Sequence, residues 1–307
     1  MKPLGQAMIL ILVIFPLLTY SADPKPIIDV HFHTYTGKVF SERRDGGDIV
    51  QLGDVTRDEA LREGLEVVRK YNILAITSGP TPELVDQWVA ADPQHFVPAL
   101  QVGNARSDRA YINMIRERAN SGKLRVLGEI ALQYEGISPD DPIYDTYFGL
   151  ANELDIPIAI HLGPGPITVF DVRPGYRVAA GDPILLEPVL QRYPDLRIYV
   201  MHAGWPFLDN MMAILYSYPN VYVDLSHIAT SHEEDEYYRY LGTLIESGFG
   251  DRVMFGSDPY ENAISEIVST AIDRVNTAEF LSAEQKRDIL YNNAARFFRI
   301  EEWAGSN

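Results

Sequence analysis

The stretch PIIDVHFHTYTG, Pro26 to Gly37, closes an apolar, strand-like run with His31 and His33 one residue apart. Successive side chains of a β-strand alternate faces, so residues two apart point the same way. Both imidazoles, with Asp29 behind them, should therefore project from one face at the strand's end. Such a pair supplies two of the nitrogen donors that hold a divalent cation, provided other ligands arrive from elsewhere. Alone it is weak, because two histidines at this spacing often arise by chance.

The rest of the chain limits what the other ligands can be. Among 307 residues there is no cysteine, so thiolate clusters, disulfides, thiol catalysis and a lipid-modified cysteine are excluded. Any metal must be held by imidazoles and carboxylates. That donor set suits zinc, with manganese or ferrous iron as substitutes. The formal charge of −17 repels phosphate backbones, which argues against nucleic acid as a partner. A small anionic substrate stays open, since a few local arginines suffice to hold one.

Lys2 precedes the apolar run AMILILVIFPLLTY, Ala7 to Tyr20, which is followed by the small residues Ser21 and Ala22. A basic start, a short apolar core and a small-residue exit describe a secretory signal peptide. A membrane helix needs about 20 apolar residues, more than this Pro16-containing run offers. We expect a signal peptide over 1–22 and one mature domain over 23–307. The protein is then secreted or periplasmic, with no stable membrane insertion after cleavage. The other reading is an uncleaved anchor or a buried N-terminal segment.

Short β-branched runs then alternate with longer amphipathic ones. The short runs cover 26–33, 73–79, 96–103, 125–133, 156–163, 196–204, 220–226 and 252–258. The helix-like stretch from Thr56 has Glu59 three positions on, a capping-box pattern. Stretches 183–195 and 207–220 stop at Pro-Asp and Pro-Asn pairs. Eight strand–helix alternations argue for a (β/α)8 TIM barrel, and near-continuous apolar strands fit a parallel sheet buried on both sides. Three more helices should follow the last strand. The connections 36–54 and 163–182 are too long for plain turns, and both follow strand C-termini, where barrel enzymes build their sites.

On that barrel the unusual polar residues fall into register. His31 and His33 end strand one, Glu129 lies near the end of strand four, His161 ends strand five, His202 ends strand six and Asp258 follows strand eight. These are six metal-competent side chains from five strands, converging on one mouth. The HxH pair, the strand-four GEI, histidines after strands five and six and the final Asp together resemble the amidohydrolase superfamily. HAGWP, FGSD and NNAARFF are similar to its amidohydrolase-related branch, which includes aminocarboxymuconate-semialdehyde decarboxylase. The resemblance runs from about Ile27 to Ile300 and specifies no substrate.

That resemblance implies a divalent metal held by His31, His33, His161 and Asp258. It implies that His202 binds a second metal or contacts the reacting group. Glu129 stands where many two-metal members carry a carboxylated lysine, so it could bridge two ions, bind one or support the site from behind; we favour one ion over two. The metal would lower the pKa of bound water to about 7, and Asp258 would accept the proton of the attacking water and pass it to the leaving atom. Asp29 is a candidate acceptor for an imidazole N–H, or equally a helix-facing or buried structural Asp. The analogy with relatives also allows a homodimer.

The remaining candidates read less sharply. His95 precedes strand three at the opposite barrel end and reads as structural. His227 and His232 follow strand seven and touch substrate or simply line a solvated loop. Asp224 reads as a polar residue of the barrel interior. Arg106, Arg109, Arg173 and Arg177 are candidate carboxylate clamps, although most surface arginines are not. Trp205 reads as packing the strand-six turn, and Tyr134 is evenly balanced. The function expected is a metal-dependent hydrolase of a C–N or C–O bond (amide, lactone or ester) in a small molecule. The alternative is a metal-dependent decarboxylase of an unsaturated or aromatic carboxylic acid. A binding barrel without turnover and a nuclease fit less well.

Overall fold

A computed structural model describes residues 25–35, 42–45, 48–51, 55–166, 169–260 and 262–300. The expected signal peptide lies outside the described residues. Eight parallel strands form one sheet in sequence order: β1 (Ile27–His33), β2 (Ile73–Ser78), β3 (Phe96–Val102), β4 (Val126–Ile130), β5 (Ile158–His161), β6 (Ile198–Met201), β7 (Val221–Asp224) and β8 (Val253–Met254). Helices pack around them, including α1 (Arg57–Lys70), α2 (Pro82–Ala91), α3 (Arg109–Asn120), α4 (Pro142–Leu154), α5 (Glu187–Arg192), α6 (Leu208–Ser217), α7 (Glu234–Glu246) and α8 (Ile264–Thr277). The architecture is the (β/α)8 barrel. Thr56 and Glu59 form the capping box at the start of α1.

Two apolar layers hold it. Ile28, Val30, Leu74, Ile76, Ala99, Val126, Ala159, Tyr199, Met201 and Met254 fill the barrel interior, and Ala294 and Phe297 close it from below. A larger core outside the strands packs them against the helices. The second and third of the C-terminal helices run on from one another: Ala283–Arg287 continues through a π turn, Asp288–Asn292, into Asn293–Phe298. No Pro or Gly separates them, so where two helices were expected there is one bent stretch. The long connection after β1 carries an antiparallel pair, Glu42–Asp45 with Asp48–Gln51, and the one after β5 carries the short helix Val169–Val172 and the turn Val178–Gly181.

The circle closes between β8 and β1. Val30 N–H donates to Phe255 O at 2.9 Å and Asp258 N–H to His31 O at 2.8 Å. Asp29 locks that seam. Its Oδ1 accepts the backbone N–H of His31 and of Ser257, each at 3.0 Å, and its Oδ2 accepts the Ser257 hydroxyl at 2.5 Å. Asp29 therefore takes no imidazole N–H, and of the two readings above the buried structural one holds. The reason is local: the β1–β2 ladder shifts register between Asp29 and Phe32, so strict alternation does not carry Asp29 along with the histidines. Burial outweighs these hydrogen bonds and raises the Asp29 carboxyl to about 7.

Asp29→Ala strands three donors in a buried seam. We expect it to lower the unfolding free energy by about 2–4 kcal/mol, read from denaturant midpoints. A loss below about 0.5 kcal/mol would remove Asp29 from the closure.

Candidate metal centre

The six expected side chains all reach the C-terminal end of the barrel. His31 Nε2 lies 3.1 Å from His33 Nε2 and 3.5 Å from Asp258 Oδ1, and His33 Nε2 lies 3.4 Å from the same Oδ1. The three donor atoms thus form a nearly equilateral triangle. Ligands held about 2.0–2.1 Å from a tetrahedral ion stand about 3.3 Å apart. The triangle thus has the size of one face of such a tetrahedron.

A second triad, His31, Glu129 and His202, also brings its donor atoms within 4.8 Å of one another and shares His31 with the first. Glu129 is the hub between strands. Its Oε1 meets His161 Nδ1 at 2.6 Å, while its Oε2 accepts from Gln101 Nε2 at 3.1 Å and lies 3.5 Å from His33 Nε2. Gly128 lets the chain make this approach. Its φ is +152°, and a Cβ there would meet the Ala159 Cβ at 2.4 Å. His161 belongs to neither triad: its Nδ1 is taken by Glu129, and its Nε2 faces the Tyr134 hydroxyl at 3.5 Å and the Pro164 carbonyl at 3.4 Å.

Electrostatics bind the cluster together. Burial works to lower His31, but the carboxylates of Asp258, Asp224 and Glu129 overcome it and raise the imidazole to about 10. Burial likewise works to raise Asp258, yet His31, His33 and His202 hold it well below the usual carboxylate range. Glu129 is held low in the same way, chiefly by His161. His202, buried and facing His161 and His31, drops to about 3 and is neutral.

Several residues behind these were not singled out for the site by the sequence reading. The Ser226 hydroxyl contacts His31 Nδ1 at 2.8 Å, His202 Nδ1 at 3.1 Å and Asp224 Oδ1. Asp224, read as an interior polar residue, also accepts the backbone N–H of His202 at 3.1 Å and of Ser226 at 2.9 Å. Its Oδ2 makes no hydrogen bond and stands 3.5 Å from His31 Nδ1. The Ser78 hydroxyl meets His33 Nδ1 at 3.0 Å. The available signal was position: each lies at a strand's C-terminal end.

The other candidates distribute plainly. His227 stands beside His202, ring centroids 5.7 Å apart, and takes contacts from Tyr260 and Ser231 hydroxyls. His232 packs at a tilt against Trp205, whose indole N–H donates to Glu236. Arg106 pairs with Asp108, Arg177 donates to the carbonyls of Gly175 and Tyr176, and Arg109 and Arg173 are exposed. His95 pairs with Asp92 below the barrel.

The amidohydrolase family model (Amidohydro_2) matches residues 28–300. The chain belongs to that family. Among curated proteins, protein fluG of Emericella nidulans is 19% identical over 162 residues, 48% of this amidohydrolase and 18% of that protein. The chain therefore spans under a fifth of that relative's length. Among solved structures, a probable 2-pyrone-4,6-dicarboxylic acid hydrolase from Acinetobacter baumannii, with citric acid bound, is similar at TM-score 0.64 and 15% identity, covering 89% of this chain and 99% of that one. A 2,6-dihydroxybenzoate decarboxylase from Rhizobium gives TM-score 0.56 at 16% identity, covering 91% and 100%. A 5-carboxyvanillate decarboxylase from Sphingomonas paucimobilis gives 0.53 at 20% identity, covering 78% and 82%.

A histidine raised from 6.5 to about 10 stabilises the fold fully below pH 6.5, and that contribution is lost as pH rises toward 10. The metal-free enzyme should therefore show a Tm that falls between pH 7 and 10, and His31→Gln should flatten that slope. A slope unchanged in the variant would remove His31 as its source.

Proposed function

We propose that this enzyme hydrolyses a C–N or C–O bond, in an amide, lactone or ester of a small molecule, with a divalent ion held at the barrel mouth. The observation that carries the reading is the His31–His33–Asp258 triangle, with edges of 3.1, 3.5 and 3.4 Å. Two imidazoles and a carboxylate at that spacing suit Zn²⁺, with Mn²⁺ or Fe²⁺ as substitutes. Asp224 Oδ2, 3.5 Å from His31 Nδ1, adds negative charge behind that imidazole that a cation helps to offset. His202 and Glu129 complete the donor set for a second ion, or face the reacting group when one ion is present.

When bound, such an ion supplies Lewis acidity to a carbonyl oxygen and to water. The chain's own residues do the rest. Asp258 turns Oδ1 to the two imidazoles, so Oδ2 is the atom that takes the proton of the attacking water and returns it to the leaving nitrogen or oxygen. The imidazoles around it keep it ionised. His202, neutral, can accept a hydrogen bond from the attacking water or from a substrate N–H or O–H without adding charge. Asp224 and Glu129 hold their neighbours in place.

Decarboxylation of an unsaturated or aromatic acid is the second reading, and the rim supports it. Tyr134 meets His161 edge-on at 5.2 Å and lies 6.1 Å from Tyr176, while Trp205 packs at a tilt against His232 at 4.1 Å. Such faces favour a flat substrate, which a lactone ring also satisfies. The apolar run Ala7–Tyr20 supports export to the periplasm or medium.

Purified enzyme should carry about one to two divalent ions per chain, and Asp258→Asn should keep metal while turnover falls 10²–10⁴-fold. A metal-free preparation with full activity would overturn the reading. Lactones, amides and aromatic carboxylates offered to metal-loaded enzyme, with carbon dioxide followed separately, decide between the two chemistries. For export, mass spectrometry of the mature protein should find a start near residue 22 or 23; an intact Met1 would count against it.

A further inference from the structure

One buried hydroxyl touches two imidazoles of the centre, and its hydrogen-bond inventory leaves a single consistent arrangement. A serine hydroxyl has one proton to give and two lone pairs to receive. Ser226 Oγ meets Asp224 Oδ1, His31 Nδ1 at 2.8 Å and His202 Nδ1 at 3.1 Å. An ionised carboxylate only accepts, so the hydroxyl proton goes to Asp224. Asp224 Oδ1 cannot turn away, because it also receives the backbone N–H of Ser226 and of His202. The two lone pairs of Ser226 Oγ then face the two Nδ1 atoms, and each must carry hydrogen.

Two independent contacts require the same. His202 Nδ1 lies 3.2 Å from the Ser226 carbonyl oxygen, which can only accept. His31 Nδ1 lies 3.5 Å from Asp224 Oδ2, which also only accepts. With hydrogen on Nδ1, the in-plane lone pair of each ring sits on Nε2. For His31 that is the atom in the triangle with His33 and Asp258.

We propose that Asp224 and Ser226 form a positioning pair that fixes His31 and His202 together as Nδ1–H tautomers, presenting both Nε2 lone pairs to the centre. One proton thereby sets two donors from different strands, β1 and the turn after β6. This rests on the metal reading above for its consequence, although the His202 tautomer itself does not need a metal. Neither residue touches substrate; both act through the histidines.

The variants separate polarity from shape. Ser226→Ala removes the shared acceptor. Asp224→Asn keeps the outline but can place an N–H where an acceptor stood, which turns the hydroxyl proton toward an imidazole. The experiment is zinc competition with a chromophoric chelator, together with nitrogen-15 spectra of ring-labelled histidine at pH 8.5, with and without zinc, and thermal melts to confirm folding. Expected is protonated Nδ1 on His202 without zinc and on both rings with it. Both variants should weaken zinc 10–100-fold while they remain folded, with the His202 tautomer mixed in Asp224→Asn. Unprotonated Nδ1 on His202 in the unaltered enzyme, or zinc affinity within about threefold in both folded variants, overturns the proposal. If the unaltered enzyme takes no zinc, the metal reading fails while the His202 tautomer still decides this one. Should neither variant fold, the His202 spectrum of the unaltered enzyme is decisive by itself.

Discussion

Three carboxylates converge on one buried imidazole, and the mouth of the barrel is built around that charge. Glu129 and Asp224 are buried, Asp258 nearly so, and all three act on His31. Burying one ionised carboxylate costs several kcal/mol unless a counter-charge or hydrogen bonds offset it. Here three must be offset together. Imidazolium charge can do part of this, which is why His31 is driven upward rather than down. A divalent cation does it better, since it replaces one proton with two charges and meets several oxygens at once. The cluster thus has the composition of a site whose folded form is incomplete without a cation.

Such a cluster can be held only by a rigid frame, and strain collects where the frame meets it. His202, His227 and Asp258 sit at φ of +57°, +63° and +49°, in the left-handed region that non-glycine residues avoid. Each costs on the order of 1–3 kcal/mol and persists only where the surroundings over-determine it. Asp258 shows how: its N–H closes the β8–β1 seam on the His31 carbonyl, so the same turn that closes the barrel aims the carboxylate at His31 and His33. Asp29 and Ser257 pin that turn from behind. Closure and chemistry are therefore one structural event at this seam.

What could be read from the sequence follows from how far each feature acts along the chain. The eight strands were legible because burial on both faces leaves long apolar runs with turn residues between them. The donors at their ends were legible as the residue types that do not belong in such runs. Supporting contacts were not. Ser226 and Ser78 are ordinary residues whose importance lies in the 2.8 and 3.0 Å that separate them from His31 and His33. Those distances depend on strands far apart in sequence becoming neighbours. Asp29 misled for a different reason: a register shift one residue later breaks the two-residue period on which the expectation was founded. The hairpin after β1 lay within a connection whose sequence showed only excess length.

The number of ions turns on how Glu129 spends its two oxygens. A bridging carboxylate needs one lone pair on each oxygen directed at an ion. Here Oε1 is drawn to His161 Nδ1 at 2.6 Å and Oε2 receives Gln101 Nε2 at 3.1 Å. An oxygen has more than one acceptor direction, so neither contact forbids coordination. Both, however, orient the carboxylate toward protein donors rather than leaving it facing a vacancy. His161 gives its Nδ1 to Glu129, and its Nε2 faces the Tyr134 hydroxyl and the Pro164 carbonyl rather than His31. A second ion in the His31, Glu129 and His202 triad would share a carboxylate already engaged by His161 and Gln101. The carboxylate of the His31–His33–Asp258 triangle is not divided in this way, and this asymmetry is the physical ground for proposing one ion before two.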